Sequence, residues 1–128
     1  MKIAGFVRER EVGIAPFEDL HAAAARMRMT GLSCLPVLRR GDVVALITAG
    51  DLVKAMAISD RPREARVADY MRTGPITVGP DEDSSVALMR MLAIGCLDLP
   101  VVRDRGLVGM VSARELLAAQ ALVHGVAV

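Results

Sequence analysis

Leu35-Pro36-Val37-Leu38-Arg39 returns as Leu99-Pro100-Val101-Val102-Arg103, and the 64-residue interval between the two stretches organises the whole chain. At that offset Lys2–Met56 aligns with Arg66–Gln120 without a gap, and 17 of the 55 pairs are identical. Pro16/Pro80, Met27/Met91, Gly31/Gly95 and Leu52/Leu116 are among them. Self-similarity at one fixed period marks a duplicated structural unit.

Each copy reads in the same order. An opening segment (Ile3–Val7, Val67–Met71) precedes a short predicted strand, Val12–Ala15 or Ile76–Gly79. Pro16 or Pro80 then leads into Glu18-Asp19 or Asp81-Glu82-Asp83, acidic residues suited to a helix start. The helix carries an apolar stripe, Leu20, Ala23, Ala24 and Met27 in one copy and Ala87, Leu88, Met91 and Leu92 in the other. Gly31 and Gly95 are placed to cap its C-terminus. Apolar runs on either side of Arg40-Gly41-Asp42 and of Asp104-Arg105-Gly106 predict a hairpin in each copy. A second helix is expected to begin near Asp51 and near Glu115, and the polar stretch Ser59–Ala65, with Pro62, reads as a linker. A unit of about 60 residues buries its surface only marginally. Two such units sharing one core are therefore expected to form a single α/β body.

Composition narrows the function. Basic and acidic residues nearly balance, 16 against 15, which argues against a general nucleic-acid binder. Only Phe6, Phe17 and Tyr70 are aromatic, so the core must come from Val, Leu, Ile, Ala and Met. Cys34 and Cys96 make no disulfide framework, and with His21 and His124 they fit no metal-site spacing. Buried thiols in a reducing cytoplasm are the default expectation. Arg8-Glu9-Arg10-Glu11 interrupts any early apolar run, so no signal peptide is expected, and the longest apolar stretches fall far short of a membrane span. No glycine-rich phosphate loop and no nucleophile–base set emerges, so an enzyme is not expected.

The order strand, helix, strand, strand, helix, with Val67-Ala68-Asp69-Tyr70-Met71, Ile76-Thr77-Val78-Gly79-Pro80-Asp81 and Gly109-Met110-Val111-Ser112-Ala113-Arg114-Glu115-Leu116-Leu117, resembles the cystathionine-β-synthase-type (CBS) domain family. The second copy is the cleaner match, and the repeat carries the resemblance to the first. It implies a tandem CBS pair, or Bateman module. The first motif would span 1–58, the linker 59–65 and the second motif 66–124. The fold implied is α/β, with two pseudo-twofold-related β-α-β-β-α units packed sheet against sheet. Such pairs typically bind AMP, ADP, ATP or S-adenosylmethionine in clefts between the units and regulate a partner protein.

The family's ligand signature is Thr or Ser followed three residues later by Asp, where the last strand meets the last helix. Thr48 and Asp51 match it in full; Ser112 and Glu115 depart from it by one methylene. Asp98 adds a second carboxylate near that weaker cleft. The resemblance thus points first to a cleft of Thr48, Asp51, Val12, Leu32, Ser33, Cys34, Leu35 and Pro36. The weaker cleft would hold Ser112, Glu115, Ile76, Asp98, Leu99 and Pro100, and Arg8, Arg10, Arg72 and Arg114 are the candidate phosphate contacts. The competing reading of Thr48 and Asp51 is a helix N-cap, which contributes stability and no function.

Two functions compete: a nucleotide-sensing regulatory module, and a dimeric protein-interaction module with no small-molecule ligand. A second apolar stripe on the first helix of each copy bears on self-association. Ala22, Ala25 and Met29 form it in one copy, Val86, Met89 and Ala93 in the other. With the family resemblance, it predicts a twofold homodimer in which the helices holding Met29 and Met89 meet; the regulated protein has no signature in the sequence.

Overall fold

The computed structural model describes residues 1–9, 12–123 and 125. After a 3₁₀ turn at Ile3–Phe6 come α1 (Leu20–Thr30), β1 (Cys34–Arg39), β2 (Asp42–Thr48) and α2 (Ala49–Ile58). The second copy gives α3 (Val67–Tyr70), β3 (Arg72–Thr73), α4 (Ser84–Ile94), β4 (Asp98–Arg103), β5 (Gly106–Ser112) and α5 (Ala113–Val123).

Local chemistry explains the boundaries. Asp19 caps α1 by accepting from the Ala22 amide, and Asp83 caps α4 by accepting from Ser85. Gly31 and Gly95 end these helices in the left-handed region, at φ 74° and 72°, where a Cβ would cost energy. The hairpin loops are tighter than the sequence suggests: Arg40-Gly41 and Asp104-Arg105 turn the chain alone, all four with positive φ. Asp42 and Gly106 belong to the strands.

The strands expected at Val12–Ala15 and Ile76–Gly79 contract to single parallel bridges, Ile14 to Val37 and Val78 to Val101. A longer ladder is cut off because the Ala15 amide donates to the Glu18 carboxylate, and the Gly79 amide to Glu82. Pro16 and Pro80, next in line, have no amide to offer. Each glutamate also holds an arginine of α1 or α4: Arg26 on Glu18 at 2.6 and 2.7 Å, Arg90 on Glu82 at 2.8 and 3.0 Å.

The copies exchange their opening segments. Ile3 and Ala4 donate to the carbonyls of Glu82 and Pro80, and Ile3 is buried in the second core with Val78, Met91 and Leu99. Val67 and Ala68 donate to Glu18 and Pro16, and Val67 is buried in the first core with Ile14, Leu20 and Val37. Units in sequence and units in space therefore differ by one short segment each. The hairpins meet at Asp42 and Gly106, which are 64 positions apart and pair antiparallel, so the pseudo-twofold axis passes between them. The bonded order is β1-β2-β5-β4, with β3 on β2.

The expected core stripe is half right on its outer edge. Leu20, Ala23, Met27, Ala87 and Met91 are buried, but Ala24 is exposed and Leu92 is 85% exposed. Both lie one position beyond a buried residue, where a helix turns its side chain toward water.

Candidate functional site

At the start of α2, Thr48 and Asp51 form a closed capping box. The Thr48 hydroxyl accepts from the Asp51 amide at 3.1 Å, and the Asp51 carboxylate accepts from the Thr48 amide at 2.9 Å. The other carboxylate oxygen takes the Arg72 Nε–H at 3.0 Å. The Asp51 side chain is 8% exposed. Both oxygens of Asp51 are thus engaged, and the cap expected as the bland alternative is present.

The equivalent pair at the start of α5 behaves differently. Among the described residues no box closes between Ser112 and Glu115. Glu115 pairs with Arg8, 64 positions before Arg72, and these side chains are 32% and 60% exposed. An exposed pair of this kind contributes about 0–1 kcal/mol, so a competing group can displace it at little cost. Arg8 is held in place by backbone: its amide donates to the Met110 carbonyl at 2.9 Å and its carbonyl accepts from Met110 at 3.0 Å. Gly109 permits that approach, because a Cβ there would collide with the Arg8 carbonyl.

A cavity of about 590 Å³ opens around Glu115, within the range of ligand-sized pockets. Ser112, Arg114, Asp98, Thr30, Leu32 and Ser33 are among its lining residues. Leu32 and Ser33, expected beside Thr48, therefore line the other cleft. The pseudo-twofold axis brings the turn after α1 against the end of β5. Asp98 is buried and satisfied, accepting from the Ser33 amide at 2.9 Å and the Ser33 hydroxyl at 3.0 Å. The Leu97 amide donates to the same hydroxyl at 3.2 Å.

Cys34 lies opposite Thr48 on the paired strand, as Asp98 lies opposite Ser112, while the other predicted residues take varied positions. Leu35, Pro36, Leu99 and Pro100 are buried in β1 and β4, Ile76 is exposed, and Cys34 sits in a buried cluster with Leu46 and Cys96. Val12 lines a separate hollow with Gly13, Ile14 and Arg26. Arg72 is engaged by Asp51, Arg114 reaches the open cavity, and Arg10 lies outside the described residues. Sequence reasoning missed Thr30, Gly31, Leu97 and Leu117 on the cavity wall. The repeat held a usable signal, since a twofold axis makes each cleft from both copies. Among the described residues, no cluster of three or more His, Cys, Asp or Glu could hold a metal, and no helix is long and apolar enough to cross a membrane.

Comparison with known proteins agrees with this architecture. The CBS domain profile matches residues 3–58 and again 67–122. The chain is 32% identical over 125 residues to an uncharacterised 17.7 kDa protein of Acidianus ambivalens, covering 96% of this chain and 75% of that one. It is 31% identical over 112 residues to inosine-5'-monophosphate dehydrogenase of Korarchaeum cryptofilum; this covers 87% of the present chain but only 22% of the dehydrogenase. A solved CBS domain pair in complex with 5'-methylthioadenosine and S-adenosyl-L-methionine superposes with a TM-score of 0.78 at 23% identity, over 98% of this chain and 97% of that one. A hexameric CBS-CP12 protein from bloom-forming cyanobacteria gives 0.79 at 20% identity, over 96% of this chain and 70% of that one.

Proposed function

The chain belongs to the CBS domain family, and on that premise we propose that it is a regulatory module that binds an adenosine-containing ligand and acts on a partner protein. The observation that carries this reading is the open cavity at the start of α5, with Glu115 held only by an exposed arginine. The ligand enters this cleft and not the one built on Thr48 and Asp51, whose oxygens are already engaged. Glu115 exchanges Arg8 for the ribose hydroxyls, and Arg8 and Arg114 become available to a phosphate or carboxylate. AMP, ADP, ATP and S-adenosylmethionine all fit this chemistry. The related pair crystallised with adenosine compounds supports the ligand class.

Calorimetric titration with AMP, ATP and S-adenosylmethionine tests it. A hydrogen bond to a charged group contributes about 1.5–3 kcal/mol, so Glu115→Ala weakens binding roughly ten- to hundredfold. Asp51→Ala, in folded protein, leaves affinity within about threefold by the same reasoning. The reverse pattern returns the site to the first cleft. Silence with every ligand favours the ligand-free interaction module.

The module acts as a homodimer. Met29 is 76% exposed and Met89 71%, and Leu92, Val53, Ile58 and Leu122 also project from the helices into solvent. Apolar surface of this extent on a small chain marks an interface.

A further inference from the structure

We propose that Cys34 and Cys96 are a redox clip: oxidation joins them in an intramolecular disulfide that ties the two units together behind the open cavity. They are the two cysteines of the chain, one at the start of β1 and one just past α4. They meet in a buried cluster with Leu46, where the two thiols lie beside one another. Duplication does not account for this. Cys34 corresponds to Asp98 in the repeat and Cys96 to Leu32, so each sulfur occupies a position its own copy alone makes a cysteine, yet the fold brings them into contact.

Their location gives the clip a consequence. Ser33 and Leu97, the immediate neighbours of Cys34 and Cys96, both line the cavity. The Ser33 carbonyl accepts from the Ala49 amide and the Leu97 carbonyl from the Ala113 amide, each at 2.9 Å, which anchors the first turns of α2 and α5. The Cys96 thiol reaches the same Ser33 carbonyl at 3.8 Å. A covalent bond between the sulfurs fixes the junction from which both helices start.

The two thiols have unlike roles. The neighbouring Cys96 sulfur and burial push Cys34 up, keeping its proton. Cys96 lies nearer the surface, between the exposed Gly95 and Leu97, which makes Cys96 the nucleophile. With glutathione disulfide as oxidant, local opening exposes Cys96, whose thiolate attacks one sulfur and expels a glutathione thiolate. Cys34 then gives up its proton and attacks the Cys96 sulfur, expelling the second glutathione. The protein loses two hydrogens and two electrons, and one glutathione disulfide becomes two glutathiones.

The test needs no ligand, so it stands or falls apart from the proposed function. Native protein is treated with glutathione disulfide and analysed by non-reducing mass spectrometry, peptide mapping and hydrogen exchange. The expected product is a single chain lighter by two hydrogens, with Cys34 and Cys96 in one cross-linked peptide. Exchange at Ala49 and Ala113 slows by roughly tenfold, since local opening now strains the clip. Cys96→Ser abolishes the mass loss; should that variant not fold, the cross-linked peptide in the unaltered chain decides alone. Free thiols after a treatment that consumes both in the urea-unfolded chain would overturn the proposal. So would a glutathione adduct on each cysteine, or a disulfide between two chains.

Discussion

Replacing Asp51 by alanine separates the two clefts by stability alone. Thr48 keeps its own cap, because its hydroxyl accepts from the backbone amide of residue 51, which alanine retains. The substitution does leave the Thr48 amide without its acceptor at a residue only 2% exposed, a loss of about 1–3 kcal/mol. Arg72 loses its carboxylate as well, but its side chain is 39% exposed and water replaces most of that bond. The total is therefore about 2 kcal/mol. Glu115→Ala removes only an exposed pair with Arg8 and costs about 0.5 kcal/mol or less. Urea unfolding followed by circular dichroism reads the difference. With a slope of about 2 kcal/mol/M, the midpoint falls by about 1 M for Asp51→Ala and by about 0.2 M for Glu115→Ala. Equal shifts for the two variants would refute the argument that one carboxylate is structural and its repeat partner is held only by an exposed pair. So would an Asp51→Ala midpoint within about 0.3 M of the parent, well inside the loss expected from an orphaned amide.

Met89→Glu places a carboxylate on the exposed face of α4, and burial without a partner costs several kcal/mol per chain; sedimentation velocity at micromolar concentration should show dimer in the parent and mainly monomer in the variant. Acid sensitivity follows from the arginine clamps: the hydrogen bond from Arg26 lowers Glu18, and that from Arg90 lowers Glu82. A carboxylate lowered in the folded state contributes fully above its unfolded value of about 4.3, and that contribution is lost as pH falls through the folded value. The urea midpoint should therefore decline below about pH 4.5, and a Glu18→Gln/Glu82→Gln double variant should show a shallower decline.

The sequence made legible what is local. The helix starts at Asp19 and Asp83, the glycine caps and the two hairpins all depend on residues within a few positions of one another, and each falls close to where it was expected. The family assignment came through the repeat and is met by both profile matches. What stayed hidden depends on contacts across the pseudo-twofold axis. Nothing near Leu32 in sequence says that it faces Ser112, or that the opening segments change places. The contracted strands at Ile14 and Val78 were hidden for another reason: Glu18 and Glu82, read as helix-start residues, also turn back onto the amides a strand would have used.

The asymmetry of the clefts can be traced to a few pairs of repeat-equivalent residues. Around Asp51 the first cleft carries Cys34, Leu46, Ile94 and Cys96, which pack into one apolar cluster. Their counterparts in the other cleft are Asp98, Met110, Thr30 and Leu32, and all four line the cavity. An apolar set can close upon itself and gain by excluding water. A set with Asp98 and Thr30 cannot close without giving each polar group a partner. Ser33 meets that need for Asp98 with two hydrogen bonds, leaving the carboxylate buried but satisfied. The last difference is the methylene between Asp51 and Glu115. Both side chains meet the repeat-equivalent arginine, but only the shorter one also folds back to its own N-cap. One ancestral geometry has thus been used twice, once to start a helix securely and once to leave a carboxylate facing an open cleft.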